Sequence, residues 1–181
     1  MKFTYSIPTK ILFGPGSFND LATTPLPGKK ALVVITAGKS MRANGYLDRL
    51  IDMLDKQGIG HALFDKILPN PVLRHVHEGA ALAREQGCDF VIGLGGGSSI
   101  DSPKSIAVMA KNPGDYWDYI SGGSGKGQPL VNGALPIVAI ATTAGTGTEA
   151  DPWTVITKED TNEKIGFGCA ETFPVLSVVD P

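Results

Sequence analysis

Cysteine is scarce in this sequence. Among 181 residues only Cys88 and Cys169 occur, and they lie far apart and outside any CxxC spacing. The sequence therefore predicts neither a disulfide framework nor a zinc knuckle. We expect both cysteines to be buried as small apolar side chains.

A large charge imbalance and a long apolar run are also missing. The 16 basic and 18 acidic residues give a net charge of −2 without basic clusters, which argues against binding to nucleic acid. No apolar run approaches the ~18 residues of a membrane span, and the N-terminal residues lack the apolar core of a signal peptide. We therefore expect a cytoplasmic protein without membrane or nucleic-acid partners.

Apolar runs rich in β-branched residues alternate with helical patterns along the chain. This alternation predicts an α/β fold, in which a mostly parallel sheet carries helices on both faces. The predicted strands are residues 31–35, 62–64, 90–94, 137–141, 154–157 and 175–179, with residues 3–5 and 11–13 as an edge pair. The predicted helices contain residues 47–54, 73–83 and 100–110.

A glycine-rich turn lies between the predicted strand 90–94 and the helix that follows it. Gly95, Gly96 and Gly97 allow backbone N–H groups to approach a ligand closely, and the start of the helix adds about half a positive charge. A diphosphate fits such a site, and a plain tight turn is the alternative. The turn is not a GxGxxG fingerprint, because Ile100 stands where the last glycine belongs.

Two polar side chains follow the three glycines. Ser98 is predicted to cap the helix and to donate its hydroxyl to a ligand. Asp101 is predicted to lie in the first helical turn, where it favours the helix dipole and can bind a ribose or amide group. We refer to residues 95–98 as the glycine turn.

A second polar turn follows the predicted strand 137–141. Residues 142–149, which we call the threonine turn, contain four threonines and two glycines. Because ligands of open parallel sheets bind at the carboxyl ends of the strands, this turn and the glycine turn should share one edge. The threonine turn is therefore predicted to form a wall of a nucleotide site, and a polar loop satisfied by its own backbone is the alternative.

Two shorter turns also follow predicted strands. Asn70 lies between two prolines and offers one amide to the same edge, although a rigid turn alone explains it as well. After the strand 31–35, dinucleotide folds commonly place an acid for the adenosine ribose, but this sequence has Gly38, Lys39 and Ser40. These residues would accommodate a 2′-phosphate or form a solvated turn.

The three histidines do not predict a metal site. His75 and His77 lie two residues apart on a predicted helix and so point about 200° apart, and His61 is distant in sequence. No spacing singles out a Ser-His-Asp or Cys-His arrangement either.

Taken together, these motifs resemble the iron-containing, or group III, alcohol dehydrogenases. The most specific parts of the resemblance are GGGSSIDSPK at residues 95–104 and TTAGTGTEAD at residues 142–151. The resemblance implies that residues 1–181 form an NAD(P)-binding domain like that of dehydroquinate synthase. It also implies that the chain is truncated before the helical domain that carries the family's metal.

Within this resemblance each motif has a role in cofactor binding. The glycine turn would hold the pyrophosphate, with Asp101 nearby, and Asn70 would touch the cofactor. Lys164 would reach the ribose on the nicotinamide side. The implied cofactor-binding residues are Gly38, Lys39, Ser40, Asn70, Gly95, Gly96, Gly97, Ser98, Asp101, Thr142, Thr143, Thr146 and Lys164.

The resemblance also bears on the choice of cofactor. Members that prefer NAD carry an aspartate at the position of Gly38. Its replacement by glycine favours NADP(H) over NAD(H), with Lys39 and Ser40 as contacts to the 2′-phosphate.

The reaction implied by the resemblance is hydride transfer between a nicotinamide cofactor and a small alcohol or aldehyde. The family's metal ligands, one Asp and three His, lie in the following helical domain, so a divalent metal, iron or zinc, is expected only there. No residue of this chain is assigned a catalytic or metal-ligating role, and we expect the chain alone to be inactive. Since a cut at Pro181 would expose apolar surface, we also expect a homo-oligomer.

Two other functions remain open at this point. One is a stand-alone dinucleotide-binding module that performs no chemistry. The other is an enzyme of the glycerol dehydrogenase or dehydroquinate synthase type, which has a similar architecture. The threonine turn favours the alcohol dehydrogenase branch.

Overall fold

A computed structural model describes residues 2–4 and 6–181, and in these residues it contains eight strands and four α-helices. Three short 3₁₀-helices, Ser17–Ala22, Tyr116–Tyr119 and Ala170–Thr172, lie between them. The strands are β1 (Lys10–Phe13), β2 (Lys30–Thr36), β3 (Gly60–Ile67), β4 (Phe90–Gly95), β5 (Ile137–Ala141), β6 (Thr154–Lys158), β7 (Glu163–Phe167) and β8 (Leu176–Val179). The helices are α1 (Ser40–Ala43), α2 (Tyr46–Lys56), α3 (Leu73–Glu85) and α4 (Gly97–Lys111).

Six of the strands form one sheet in the order β1-β8-β5-β4-β2-β3, and every neighbouring pair is parallel. The central strand β4 is buried along its whole length, which explains why its sequence is apolar without alternation. Strands β6 and β7 form a separate antiparallel hairpin. The predicted α/β fold with a mostly parallel sheet is therefore confirmed.

Helices cover both faces of the sheet. Leu32 and Val34 of β2 point into a core with α3 and α4, whereas Val33 and Ile35 point into a second core with α2. The side-chain alternation of β2 thus supplies both cores from one strand. Helix α2 buries its apolar stripe as predicted, and it ends before Gly58, whose φ of 68° requires the left-handed region.

The chain leaves β2 and β4 in opposite directions. Strand β2 leads through α2 to β3, on one side of the pair, and β4 leads through α4 to β5 on the other side. Helices α2 and α4 also lie on opposite faces of the sheet. In an open parallel sheet this divergence opens a crevice at the carboxyl ends of the two strands, and ligands bind there.

Three details differ from the predictions. Residues 11–13 do not pair with residues 3–5: Phe3 and Thr4 form no strand, and Tyr5 lies outside the described residues. Strand β1 is an edge strand that instead pairs in parallel with β8, with Lys10 opposite Leu176. Cys88 is buried as expected, whereas Cys169, at the start of a 3₁₀-helix, is only half-buried. Strand β7 was not predicted, since its alternation spans only five residues.

No α-helix among the described residues is both long and apolar enough to cross a membrane. The longest is α4, with 15 residues, and it buries polar as well as apolar side chains.

A buried histidine makes the stability of this fold depend on pH. His75 on α3 is 4% exposed, packs edge-on against Phe64, and has no hydrogen-bond partner for Nδ1 within the described part of the chain. Burial lowers the pKa of His75 below its ordinary value, and Arg74 adds to the effect. Below about pH 6.5 the unfolded chain therefore takes up a proton that the folded chain does not. The free energy of unfolding has its full value above about pH 6.5 and declines as the pH falls below it.

We expect the free energy of unfolding in urea to decrease between about pH 7 and about pH 5, and His75→Leu to flatten this part of the curve. The matched control is Val76→Ala, which removes packing from the same core and should lower stability equally at both pH values. Equal pH slopes for the native chain and His75→Leu would exclude His75 as the source.

Candidate functional site

The glycine turn connects β4 to α4 at the crevice. Gly95 ends β4 with a φ of 140°, and Gly96 occupies the N-cap position without any side chain capping the helix. The prediction that Ser98 is the cap is therefore wrong: Ser98 is the second residue of α4, and its carbonyl accepts a hydrogen bond from the Ser102 hydroxyl at 2.8 Å. The first N–H groups of the helix are consequently left for a ligand or solvent.

The glycine turn and the threonine turn are in direct contact. The Thr142 N–H donates to the Gly95 carbonyl at 2.9 Å. A Cβ atom on Gly96 would lie 3.1 Å from the Thr143 hydroxyl oxygen, and one on Gly97 would lie 3.3 Å from Thr146 Cγ2. The predicted meeting of the two turns at one edge is confirmed, and the close approach explains why side chains are absent at these glycines.

A polar cleft opens beside this contact, on the α4 face of the sheet. Lys164 of β7 donates to the Asn70 side-chain oxygen at 2.9 Å across the cleft. Asn70 has a φ of 64°, a conformation that asparagine tolerates better than most residues. The lining residues are Asn70, Pro71, Gly97, Ser98, Asp101, Thr146, Thr148, Asp151, Trp153, Val155 and Lys164.

Asp101 is held rigidly in this cleft. Its Oδ1 accepts a hydrogen bond from the Thr148 hydroxyl at 2.6 Å, and its Oδ2 accepts one from the Val155 N–H at 3.1 Å. Burial raises the pKa of Asp101, and these hydrogen bonds together with Lys104 oppose the shift. The prediction that Asp101 lies in the first helical turn is wrong by one residue, because α4 begins at Gly97.

Lys104 lies one helical turn further along α4 and is completely buried. Its ammonium donates to backbone carbonyls of the segment that leaves the threonine turn and to the Thr148 hydroxyl. Burial lowers the pKa of Lys104, while the nearby carboxylate of Asp151 opposes that shift. The buried cation is thus balanced by oxygen atoms from the wall of the polar cleft.

A second cleft lies on the opposite side of the glycine turn, on the α2 face; we call it the aromatic cleft. The Arg49 guanidinium lies 4.8 Å from the centre of the Phe18 ring and donates to Asn19 Oδ1 at 2.8 Å. The carboxylate of Asp180 accepts hydrogen bonds from two backbone N–H groups, which lower its pKa. The lining residues are Phe18, Tyr46, Arg49, Leu94, Ile140, Ala141, Thr142, Val178, Asp180 and Pro181.

The segment after β2 lines neither cleft. Gly38, Lys39 and Ser40 are exposed where β2 ends, and β2 pairs with β4 in the sheet. The Met41 sulfur lies 4.0 Å from the position of a Cβ on Gly95, so this segment borders the glycine turn. No acidic residue occurs between residues 37 and 47.

The described residues do not fit a metal ion. They contain no group of three or more His, Cys, Asp or Glu side chains in a ligating arrangement. His75 is buried against Phe64, and His77 lies 3.6 Å from a single carboxylate, that of Asp115. We therefore assign no chemical step to a metal here.

Comparison with known proteins gives the family. The family model for iron-containing alcohol dehydrogenase matches residues 8–181. The chain belongs to the iron-containing alcohol dehydrogenase family. It is 38% identical over 179 residues to probable NADH-dependent butanol dehydrogenase 1 of Bacillus subtilis, which covers 99% of this chain and 45% of that protein.

Solved structures of iron-containing alcohol dehydrogenases and related enzymes share the fold. NADH-dependent butanol dehydrogenase A from Thermotoga maritima superimposes with a TM-score of 0.90 at 36% identity, over 99% of this chain and 44% of that one. Sulfoacetaldehyde reductase from Bifidobacterium kashiwanohense, solved with NAD+, superimposes with a TM-score of 0.85 at 30% identity, over 100% and 46%. The chain thus spans a little under half the length of the relatives it matches.

Six of the thirteen residues predicted for this family's cofactor site line the polar cleft together. Gly95, Gly96 and Thr143 join them in the contact between the two turns, and Thr142 lines the aromatic cleft. The residues that sequence reasoning missed are Tyr46, Arg49, Asp151 and Trp153. Asp151 ends the motif at residues 142–151, whereas the other three lie outside any motif. The spacing of Lys104 is the signal that places it beside Asp101, because residues three apart on a helix share one face.

Proposed function

We propose that this chain is the cofactor-binding half of an iron-containing alcohol dehydrogenase and binds the nicotinamide dinucleotide at the crevice between β2 and β4. The observation that carries the proposal is the contact of the glycine turn with the threonine turn. It leaves a helix N-terminus open between two clefts, and a dinucleotide has two halves joined by a diphosphate.

The pyrophosphate would lie over the glycine turn. The free N–H groups at the start of α4, the Ser98 hydroxyl and the positive end of the helix dipole all favour an anion there. Gly96 has no side chain to keep the phosphate oxygens away from the backbone. Thr143 and Thr146 flank the turn and offer further hydroxyl groups.

The two halves of the cofactor would occupy different clefts. The nicotinamide ribose would lie in the polar cleft, where Lys164 and Asn70 can hydrogen-bond its hydroxyls and Asp101 can accept from an amide. The adenosine would lie towards residues 38–40 and the aromatic cleft, where Tyr46 and Thr142 offer an apolar ring and a hydroxyl.

The reaction of the whole enzyme would be oxidation of a primary alcohol or reduction of an aldehyde. The bound nicotinamide supplies the hydride chemistry. The residues of this chain bind the cofactor, fix the orientation of its ribose and present one side of the ring to the substrate. The names of two relatives, a butanol dehydrogenase and a 1,3-propanediol dehydrogenase, support a small alcohol as the substrate.

We also propose that the enzyme is a homo-oligomer in the cytoplasm. Support for association comes from the edge strand β1, whose outer edge has no partner strand among the described residues and whose Phe13 is 75% exposed.

The phosphate-binding role of the glycine turn predicts the effect of a double change. Gly96→Val with Ser98→Ala should raise the Kd for NADPH and for NADH at least about tenfold, because a hydroxyl donor is lost and the backbone is shielded. Isothermal titration calorimetry measures both constants. Gly60→Val is the control, because Gly60 lies at the amino-terminal end of β3, away from the crevice. This variant should bind both cofactors normally. Unchanged affinity of the double variant would remove the phosphate from this turn.

The segment after β2 predicts the choice between the cofactors. We propose a preference for NADP(H), because Gly38 leaves room and Lys39 and Ser40 can contact a 2′-phosphate, although several relatives are named NADH-dependent. Gly38→Asp should weaken the binding of NADPH about tenfold or more relative to that of NADH, because the carboxylate repels the 2′-phosphate. Gly38→Ala adds a Cβ atom without charge and should retain the native ratio of the two dissociation constants. A native chain that binds NADH more tightly would contradict the preference.

The separation of cofactor binding from metal chemistry predicts no turnover by these 181 residues. The described side chains form no metal-ligating group, so added iron or zinc should not produce alcohol oxidation, while NADPH still binds. Absorbance at the nicotinamide band with butanol or 1,3-propanediol as substrate measures the rate. Metal-dependent turnover would show that this chain contains a complete active site.

A further inference from the structure

Lys104 binds the end of the threonine turn as an internal cation. Its side chain is 0% exposed, and Nζ lies 2.8–2.9 Å from the carbonyl oxygens of Thr148, Asp151 and Trp153. The Thr148 hydroxyl oxygen and the Asp151 carboxylate also lie within hydrogen-bond distance, so the three N–H donors of the ammonium are shared among five oxygen atoms. The Asp151 carboxylate, at 3.2 Å, balances its charge.

Residues 148–153 need this cation because they have no regular structure. The segment runs from the end of the threonine turn to β6, outside any helix or strand, and it contains Pro152. Its carbonyls at residues 148, 151 and 153 converge on one point instead of pairing in a ladder. Without a cation there, buried oxygens would lack donors, and the segment would have to open towards water.

The same ammonium fixes the direction of one hydroxyl. Thr148 Oγ1 accepts a hydrogen bond from Lys104 at 2.8 Å, so its own hydrogen is directed to Asp101 Oδ1 at 2.6 Å. Asp101 and Lys104 lie on one face of α4, and Thr148 joins them across the cleft. The orientation of the Asp101 carboxylate therefore depends on Lys104.

We propose that Lys104 is a positioning residue for the nicotinamide half of the cofactor: by holding residues 148–153 against α4, it places Thr146, Thr148 and Asp101 along the polar cleft. The proposal rests on the proposed function. The glycine turn joins β4 to α4, and the aromatic cleft is lined mainly by residues of β4, β5, β8 and α2; the Lys104 side chain donates no hydrogen bond to either. Its influence is thus confined to one half of the site.

The test compares two ligands in the 181-residue chain. Lys104→Met keeps the length of the side chain and removes the cation. We expect it to raise the Kd for NADPH at least about tenfold, while the Kd for 2′-phospho-ADP, which lacks the nicotinamide half, changes less than about twofold. Ile106→Ala, on the same helix but in the core with α3, is the control for general destabilisation and should leave the ratio of the two constants unchanged.

A second measurement does not require any ligand. Hydrogen exchange followed by mass spectrometry should show that amides of residues 146–155 exchange about tenfold faster or more in Lys104→Met, while those of β4 and β5 do not. If Lys104→Met does not fold, Thr148→Val retains the ammonium and its carbonyls but releases Asp101. Thr148→Val should raise the Kd for NADPH more than the Kd for 2′-phospho-ADP.

The outcomes separate this inference from the proposed function. A native chain that binds none of NADPH, NADH and 2′-phospho-ADP contradicts the proposed function, and the exchange measurement then decides alone whether Lys104 orders residues 146–155. If the native chain binds NADPH but the variants raise the Kd for both ligands equally, or for neither, the positioning role alone is overturned. Unchanged exchange of residues 146–155 in a folded Lys104→Met chain overturns it as well.

Discussion

The hydrogen bond from the Thr142 N–H to the Gly95 carbonyl extends the ladder between β4 and β5 by one step beyond the sheet. Because Gly95 pairs with Ala141, the residues that follow both strands must leave the sheet side by side. Close approach of the two turns is therefore a consequence of strand register. Glycine at residues 96 and 97 favours this approach, since a Cβ at either position would lie 3.1–3.3 Å from a threonine side chain, which would have to shift.

The two walls of the polar cleft are held by different kinds of interaction. Helix α4 is anchored by a core of apolar side chains against β2, β4 and α3. The opposite wall, formed by residues 146–155 and the hairpin, reaches the same core through Ile156 and Phe167, and it adds polar contacts from Lys104, from Asp101 and from the bond between Lys164 and Asn70. A buried cation such as Lys104 adds little net stability, but its hydrogen bonds fix the positions of its oxygen partners.

Periodicity and strand topology account for what could be predicted from the sequence. The apolar runs of β2, β4 and β5 and the stripe of α2 are local patterns, and the carboxyl ends of parallel strands share an edge in any such sheet. The aromatic cleft could not be predicted, because Phe18, Tyr46 and Asp180 meet only through the packing of β1 and α2. The burial of Lys104 could not be predicted either, since its carbonyl partners carry no side-chain signal.

The difference between the α4 wall and the hairpin wall of the polar cleft also affects how a cofactor enters. Interactions made by the packed wall, at the glycine turn, are in place before the ligand arrives, so the diphosphate meets a preorganised anion site. The hairpin wall reaches the cleft through the exposed Lys164 side chain and through loop residues such as Trp153, which is 56% exposed. Because Ile156 of the hairpin is buried in the core, adjustment to the nicotinamide half belongs to the exposed Lys164 and Trp153 side chains rather than to the hairpin strands or to α4.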